Sequence, residues 1–142
     1  MVAVDTNIVV RFLIQDDQLQ YHKSLEIFQT QDVFIADTVI LETEWVLRFT
    51  YKLNPVKICE ALRKLFGLPN VYLNNANLVA QSLQWHEAGL DFADAFHLAN
   101  SQNHTQFYTF DEKVKHGRYI TTGTHDLRLI ALMQFDKHLE LQ

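Results

Sequence analysis

Two short apolar runs, each passing through polar residues straight into a helix-period pattern, constrain this chain more than any other feature. Val2 to Val4 ends in Asp5-Thr6-Asn7, and Val33 to Ala36 ends in Asp37 and Thr38. A strand that is apolar on both faces needs cover on both sides, which points to a parallel sheet between helices rather than an antiparallel sheet with one wet face. A third run of this kind, Phe107 to Phe110, ends in Asp111. The expected architecture is α/β, a three-layer α/β/α sandwich around a short, mostly parallel central sheet.

The intervening segments carry helix signals. Helices are predicted over Ile8 to Ile14, from caps at Asp16 and Asp17 to about Gln29, and from Asp37 and Thr38 to about Tyr51. Leu19, Leu25, Ile27 and Phe28 supply the apolar positions of the second. Asn54-Pro55 opens a fourth helix that runs to Phe66 and stops at Gly67. A fifth covers Ala76 to Glu87 and ends at Gly89, and a sixth runs from Phe92 to about Asn103. With 142 residues, four Gly, two Pro and no repeat or low-complexity tract, one domain over 1–142 is expected. Within it, 121–142 is a C-terminal extension, where the apolar run Leu127 to Phe135 forms an extra helix or strand.

Composition excludes several classes. Hydrophobic residues make up 48% and charged residues 20%, far from a disordered chain. No apolar run approaches the roughly 20 residues of a membrane span. Cys59 is the only cysteine, so no internal disulfide or cysteine zinc site can form, and a reducing cytoplasm is the expected location. The seven histidines, His22, His86, His97, His104, His116, His125 and His138, lack ligand spacing and read as surface or satisfied residues. A net charge of -5 argues against a general nucleic-acid coat, although an acidic cluster awaiting a cation would inflate that value while Lys and Arg line a local groove.

The acids themselves are placed suggestively. Asp5 and Asp111 follow strands, where parallel sheets bind ligands. At about 100° per residue, the helix from Thr38 puts Val39, Glu42, Trp45, Val46 and Phe49 on one stripe. That stripe reads as core-facing, with Glu42 in its middle, and Glu44 reads as a surface residue pairing with Arg48. On the helix around Phe92, Asp91, Asp94, Ala95 and Leu98 share a face. Asp91 reads as the N-cap, whereas Asp94 interrupts a small apolar stripe and needs a partner. Four acids brought together would repel one another unless a hard divalent cation lay among them. Trp45, Phe49, Phe92, Phe96 and Phe110 read most simply as core.

Taken in order, Val4-Asp5-Thr6-Asn7, Leu41-Glu42-Thr43-Glu44-Trp45-Val46-Leu47-Arg48, Asp91-Phe92-Ala93-Asp94-Ala95 and Thr109-Phe110-Asp111 resemble the PIN domain, and more narrowly the VapC-type toxins of bacterial toxin–antitoxin pairs. The resemblance covers roughly the first 120 residues. It implies an acidic quartet of Asp5, Glu42, Asp94 and Asp111, with Thr6 and Asn7 shaping the first metal loop. Asp5, Asp94 and Asp111 are the implied ligands of Mg²⁺ or Mn²⁺, and Glu42 acts through a second metal or a bound water. The implied activity is hydrolysis of RNA, tRNA among the candidate substrates, by metal-activated water, leaving a 3′-hydroxyl and a 5′-phosphate. Homodimers or larger assemblies, and inhibition by an antitoxin whose C-terminal segment blocks the groove, are implied as well. Arg11 and Arg48 match basic positions of the subgroup and would meet RNA phosphates or antitoxin acids; structural ion pairs are the equal alternative. The 121–142 stretch departs from the pattern, in which one short strand, Tyr119 to Thr121 here, would follow the fourth acid.

Competing readings are weaker. A haloacid-dehalogenase-like phosphatase needs a second Asp two residues after the first, and Asn7 stands there. No GxxxxGK arrangement exists for a P-loop. A PIN-like module that binds RNA or protein without cutting, and a purely structural α/β domain, remain the alternatives from other classes.

Overall fold

A computed structural model describes residues 1–104, 106–109 and 128–131. The chain divides into two compact units, Met1–Ala80 and Gln81–Gln142. Helices and short parallel strands alternate through it, as the sequence pattern predicts.

In the first unit, β1 (Val2–Ala3), β2 (Val33–Ile35) and β3 (Val71–Leu73) form a parallel sheet in the order β1-β2-β3. Val2 pairs with Val33, and Val33 with Val71. Parallel neighbours require crossovers, and the intervening helices supply them: α1 (Thr6–Leu13) and α2 (Gln18–Thr30), then α3 (Asp37–Phe49) and α4 (Pro55–Phe66). Val33, Ile35, Ile40, Leu47, Ile58 and Leu62 are all fully buried. Each such side chain contributes about 1.5–3 kcal/mol relative to exposure. The aromatic stack of Phe12 on Phe28, with ring centroids 4.3 Å apart, ties α1 to α2.

Local chemistry explains most helix starts. Asp17 Oδ1 accepts from the Gln20 N–H at 3.0 Å, and Asn54 Oδ1 from the Lys57 N–H at 2.9 Å ahead of Pro55. Asn75 Oδ1 accepts from the Leu78 N–H at 3.1 Å, capping α5 (Ala76–Glu87). Three details differ from the sequence reading. α3 is capped by Ala36, without a side-chain bond, so neither Asp37 nor Thr38 is its cap. Leu19, expected on the apolar side of α2, is 67% exposed, while the small Ser24 packs inside. β3 had no counterpart in the sequence reading, because Val71-Tyr72-Leu73 between asparagines is too short to show a period.

The second unit contains α6 (Phe92–Asn100), β4 (Gln106–Thr109) and β5 (Arg128–Ala131), the last two paired in parallel with Gln106 opposite Arg128. The apolar run Leu127 to Phe135 therefore holds a strand, one of the two forms expected of it. α6 ends three residues before Asn103, with Ser101 Oγ donating to the His97 carbonyl at 2.7 Å. Phe92 and Phe96 are buried, as expected of core aromatics. His86 is buried too, its Nδ1 2.7 Å from the Leu90 carbonyl oxygen, which fits a satisfied core histidine. Phe110, Asp111 and the Tyr119 to Thr121 strand lie outside the described residues.

Candidate active site

Asp5 stands just past the carboxyl end of β1, and the geometry gives it a second duty. Its backbone is extended (φ -91°, ψ 177°) and its Oδ1 accepts from the Ile8 N–H at 3.1 Å, so it is the N-cap of α1. One carboxylate oxygen thus satisfies an orphan helix donor, and the helix dipole favours the negative charge there. Asp5 is exposed and borders an open cleft of about 490 Å³ along β1 and the start of α1, lined also by Val4, Ile8 and Ile27. Thr6, the first residue of α1, is buried, and Asn7 is exposed.

On α3 the expected faces are exchanged. The buried stripe is Ile40, Thr43, Glu44 and Leu47. Glu42 is exposed, Trp45 is 53% exposed and Phe49 is 46% exposed, so the stripe holding them is not the core face, and neither aromatic is core. Glu44, expected at the surface, is 1% exposed. Its Oε1 lies 2.8 Å from Arg48 Nε, and this pairing one helical turn away makes burial of the carboxylate tolerable. The i,i+4 pair foreseen from the sequence is present, but on the inner face. The core-facing position that singled out Glu42 in the sequence is therefore not borne out.

Arg11 is also engaged within the chain. Its Nη1 lies 2.8 Å from Asp16 Oδ1 and its Nε donates to Gln20 Oε1 at 2.6 Å. Tyr51 completes the network by donating to Asp16 Oδ2 at 3.0 Å. Partial desolvation pushes the Asp16 carboxyl up, but the hydrogen bonds from Arg11 and Tyr51 outweigh it and hold the group below the ordinary carboxylate value. Desolvation and the bond to Asp16 raise the Tyr51 hydroxyl. Arg11 and Arg48 both sit in structural ion pairs, the alternative weighed for each of them.

In the second unit, Asp91 caps α6, accepting from the Asp94 N–H at 3.3 Å, as the sequence predicts. Asp94 is half-buried in the first turn of the helix, beside the buried Ala95 and one turn before the buried Leu98. Asp5 and Glu42 belong to the first unit and Asp94 to the second. Among the described residues, no three His, Cys, Asp or Glu side chains form a group that could hold a metal ion, and Asp111 lies outside those residues. Among them, too, no helix is long and apolar enough to cross a membrane.

The PIN domain family model matches residues 2–118, which includes the positions of Asp5, Glu42, Asp94 and Asp111. The chain belongs to the PIN domain family, and the α/β sandwich expected from its sequence is the fold of that family. PIN domains are nucleases, which places the chain among hydrolases of phosphodiester bonds. No curated protein matches the chain. A similar solved structure is Mycobacterium tuberculosis VapC20, described as a sarcin-ricin loop cleaving toxin. It is 17% identical with a TM-score of 0.41, covering 86% of this chain and 98% of that one.

Proposed function

We propose that the chain is a Mg²⁺- or Mn²⁺-dependent endoribonuclease, the VapC-type toxin of a type II toxin–antitoxin pair, acting in the cytoplasm as a single PIN domain over 1–142. Family membership across residues 2–118 carries the reading, because all four candidate acids fall inside the matched span. The donor set fits the cation. Asp5, Glu42, Asp94 and Asp111 are all carboxylates, hard oxygen ligands suited to Mg²⁺ or Mn²⁺, with no thiolate among them. When bound, such an ion would polarise the phosphate and lower the pKa of a water to serve as nucleophile.

Asp5, Asp94 and Asp111 would hold the cation, and Glu42 would orient the attacking water and accept its proton. The water oxygen bonds to phosphorus, the P–O3′ bond breaks, and a proton passes to the departing 3′ oxygen, leaving a 3′-hydroxyl and a 5′-phosphate. The cognate antitoxin would inhibit by covering this groove, and the working assembly would be a homodimer or a larger homo-oligomer.

The deciding experiment is cleavage of single-stranded RNA and tRNA by purified protein with Mn²⁺ and with EDTA, beside calorimetric titration of Mn²⁺. Cleavage should require the metal, and Asp94→Asn should abolish both cleavage and the saturable heat while leaving circular dichroism unchanged. Metal-independent cleavage, or an Asp94→Asn variant that still cuts, would remove the site assignment. RNA binding without any cleavage would favour a non-cutting PIN module.

A further inference from the structure

A groove between the C-terminal end of α1 and the outer face of α4 is apolar inside and cationic at its border. Its volume is about 410 Å³, and Phe12, Leu13, Leu65 and Leu68 line it. Phe12 is held in place by its stack on Phe28, and Leu65 is buried, so the groove is preformed. From α4, Lys57, Glu60, Ala61 and Lys64 border it. They recur at i, i+3, i+4 and i+7, which sets all four on one face of the helix. Lys64 neutralises Glu60, its Nζ 3.2 Å from Oε1, and Lys57 leaves the border net positive.

The positive charge extends beyond the groove. From Trp45 to Ala80 the sequence holds five cations, Arg48, Lys52, Lys57, Arg63 and Lys64, and one acid, Glu60. The 44 residues before that stretch hold eight acids and two cations. Lys52, Lys57, Arg63 and Lys64 are all exposed, so a chain of net charge -5 still offers a polyanion one attractive surface.

An apolar slot bordered by cations suits single-stranded nucleic acid: a base stacks inside, and the phosphates stay outside on the lysines. Lys57 and Lys64 are about 10 Å apart along the helix axis, and their long, flexible stems reach phosphates on either side of one inserted base. α1 connects the groove to the candidate active site. Its eight residues rise about 12 Å between the cap Asp5 and the groove residue Leu13, a length that about three or four stacked nucleotides cover at about 3.4 Å each. An acidic amphipathic peptide is the competing occupant. The cations outside the groove, Lys52 and Arg63, favour the longer polyanion.

We propose that the groove is a second RNA site, taking one unpaired base of the substrate strand against Phe12 and Leu68, with Lys57 and Lys64 on the adjoining phosphates. The proposal rests on the ribonuclease reading above.

Fluorescence anisotropy of a labelled single-stranded RNA of about 12 nucleotides, in EDTA to prevent cleavage, tests the groove directly. The wild type should bind. Ala61→Phe, which fills the groove and keeps every charge, should weaken binding about 5- to 100-fold with unchanged salt dependence. Joint Lys57→Gln and Lys64→Gln should weaken it too, and should lower the slope of log affinity against log salt by about 1.4, the value for two phosphates of a single strand. With Mn²⁺, each variant should raise KM for the same RNA by the factor lost in affinity and leave kcat unchanged. Circular dichroism checks that each variant is folded, and Ala61→Leu, a smaller filling, replaces Ala61→Phe if that one is not. A wild type that cleaves RNA, with variants that keep its affinity and KM, overturns the second site and leaves the ribonuclease reading standing. A wild type that never cleaves but binds RNA, with the variant effects above, keeps the groove and removes that reading. A labelled peptide of leucine and glutamate that binds the wild type and not Ala61→Phe, where RNA binds both equally, assigns the groove to a protein partner instead.

Discussion

Replacing Asp5 by asparagine and by alanine separates the two duties the structure places on this side chain. Asparagine keeps an acceptor for the Ile8 N–H now bonded at 3.1 Å, so α1 keeps its cap. It forfeits only the charge–dipole attraction, about 0.3–1 kcal/mol. If other carboxylates crowd the position, relief of repulsion offsets part of that loss. Alanine removes the acceptor as well, at about 1 kcal/mol more. The melting temperature of the alanine variant should therefore lie about 2–8 °C below that of the asparagine variant. Activity should not follow this order. Both changes delete the carboxylate proposed to hold the cation, and losing several kcal/mol of transition-state stabilisation lowers cleavage at least about 100-fold in each. Differential scanning calorimetry and a quenched-fluorophore RNA substrate with Mn²⁺ give the two readings. Cleavage retained by Asp5→Asn would refute the metal role, and equal melting of the two variants would refute the cap.

Other outcomes follow from the ion pairs and bridges. Arg48→Met leaves the 1%-exposed Glu44 without the cation 2.8 Å away and should cost about 3–5 kcal/mol in urea unfolding at fixed protein concentration. Adding Glu44→Met should recover much of that loss; a single variant within 0.5 kcal/mol of wild type, a rough limit for surface changes, would mean the pair contributes nothing. Asn70→Ala deletes two hydrogen bonds at 2.7 Å, to the Phe28 and Gln31 carbonyls, and should cost about 1–3 kcal/mol by the same assay. The Asp16 carboxyl titrates lower in the folded chain than in the unfolded one. Its contribution is therefore present above about pH 4 and disappears as pH falls through the depressed folded value. Asp16→Asn should accordingly flatten the acid limb of a stability–pH profile, and an unchanged limb would show that the Arg11–Asp16–Tyr51 network carries no linkage.

Much of this chain could be read locally because its signals are local. Asp17, Asn54-Pro55 and Asp91 mark helix starts through bonds to backbone groups three residues away, and the structure shows each of them in place. The positions of Asp5 after a strand and of Asp94 in the first turn of a helix were legible in the same way, whereas the core-facing position read for Glu42 was not borne out. Asp5 does not show as a cap in the sequence because its neighbours Thr6 and Asn7 look like a polar turn, yet Thr6 already begins α1.

The faces of α3 show where such reading ends. Its sequence holds two apolar stripes, one through Ile40 and Leu47 and one through Trp45 and Phe49, and periodicity ranks the larger aromatic pair as core. The fold buried the other stripe with Glu44, and Arg48 one turn away makes that carboxylate tolerable inside. Most helix positions, and the strands β1 and β2, were thus legible from residues close in sequence, whose caps and φ preferences act locally. Which side of α3 turns inward, and which residues β3 and β5 pair with, were decided only by contacts between residues far apart in the chain, where shape and charge partners choose between patterns that are locally equivalent.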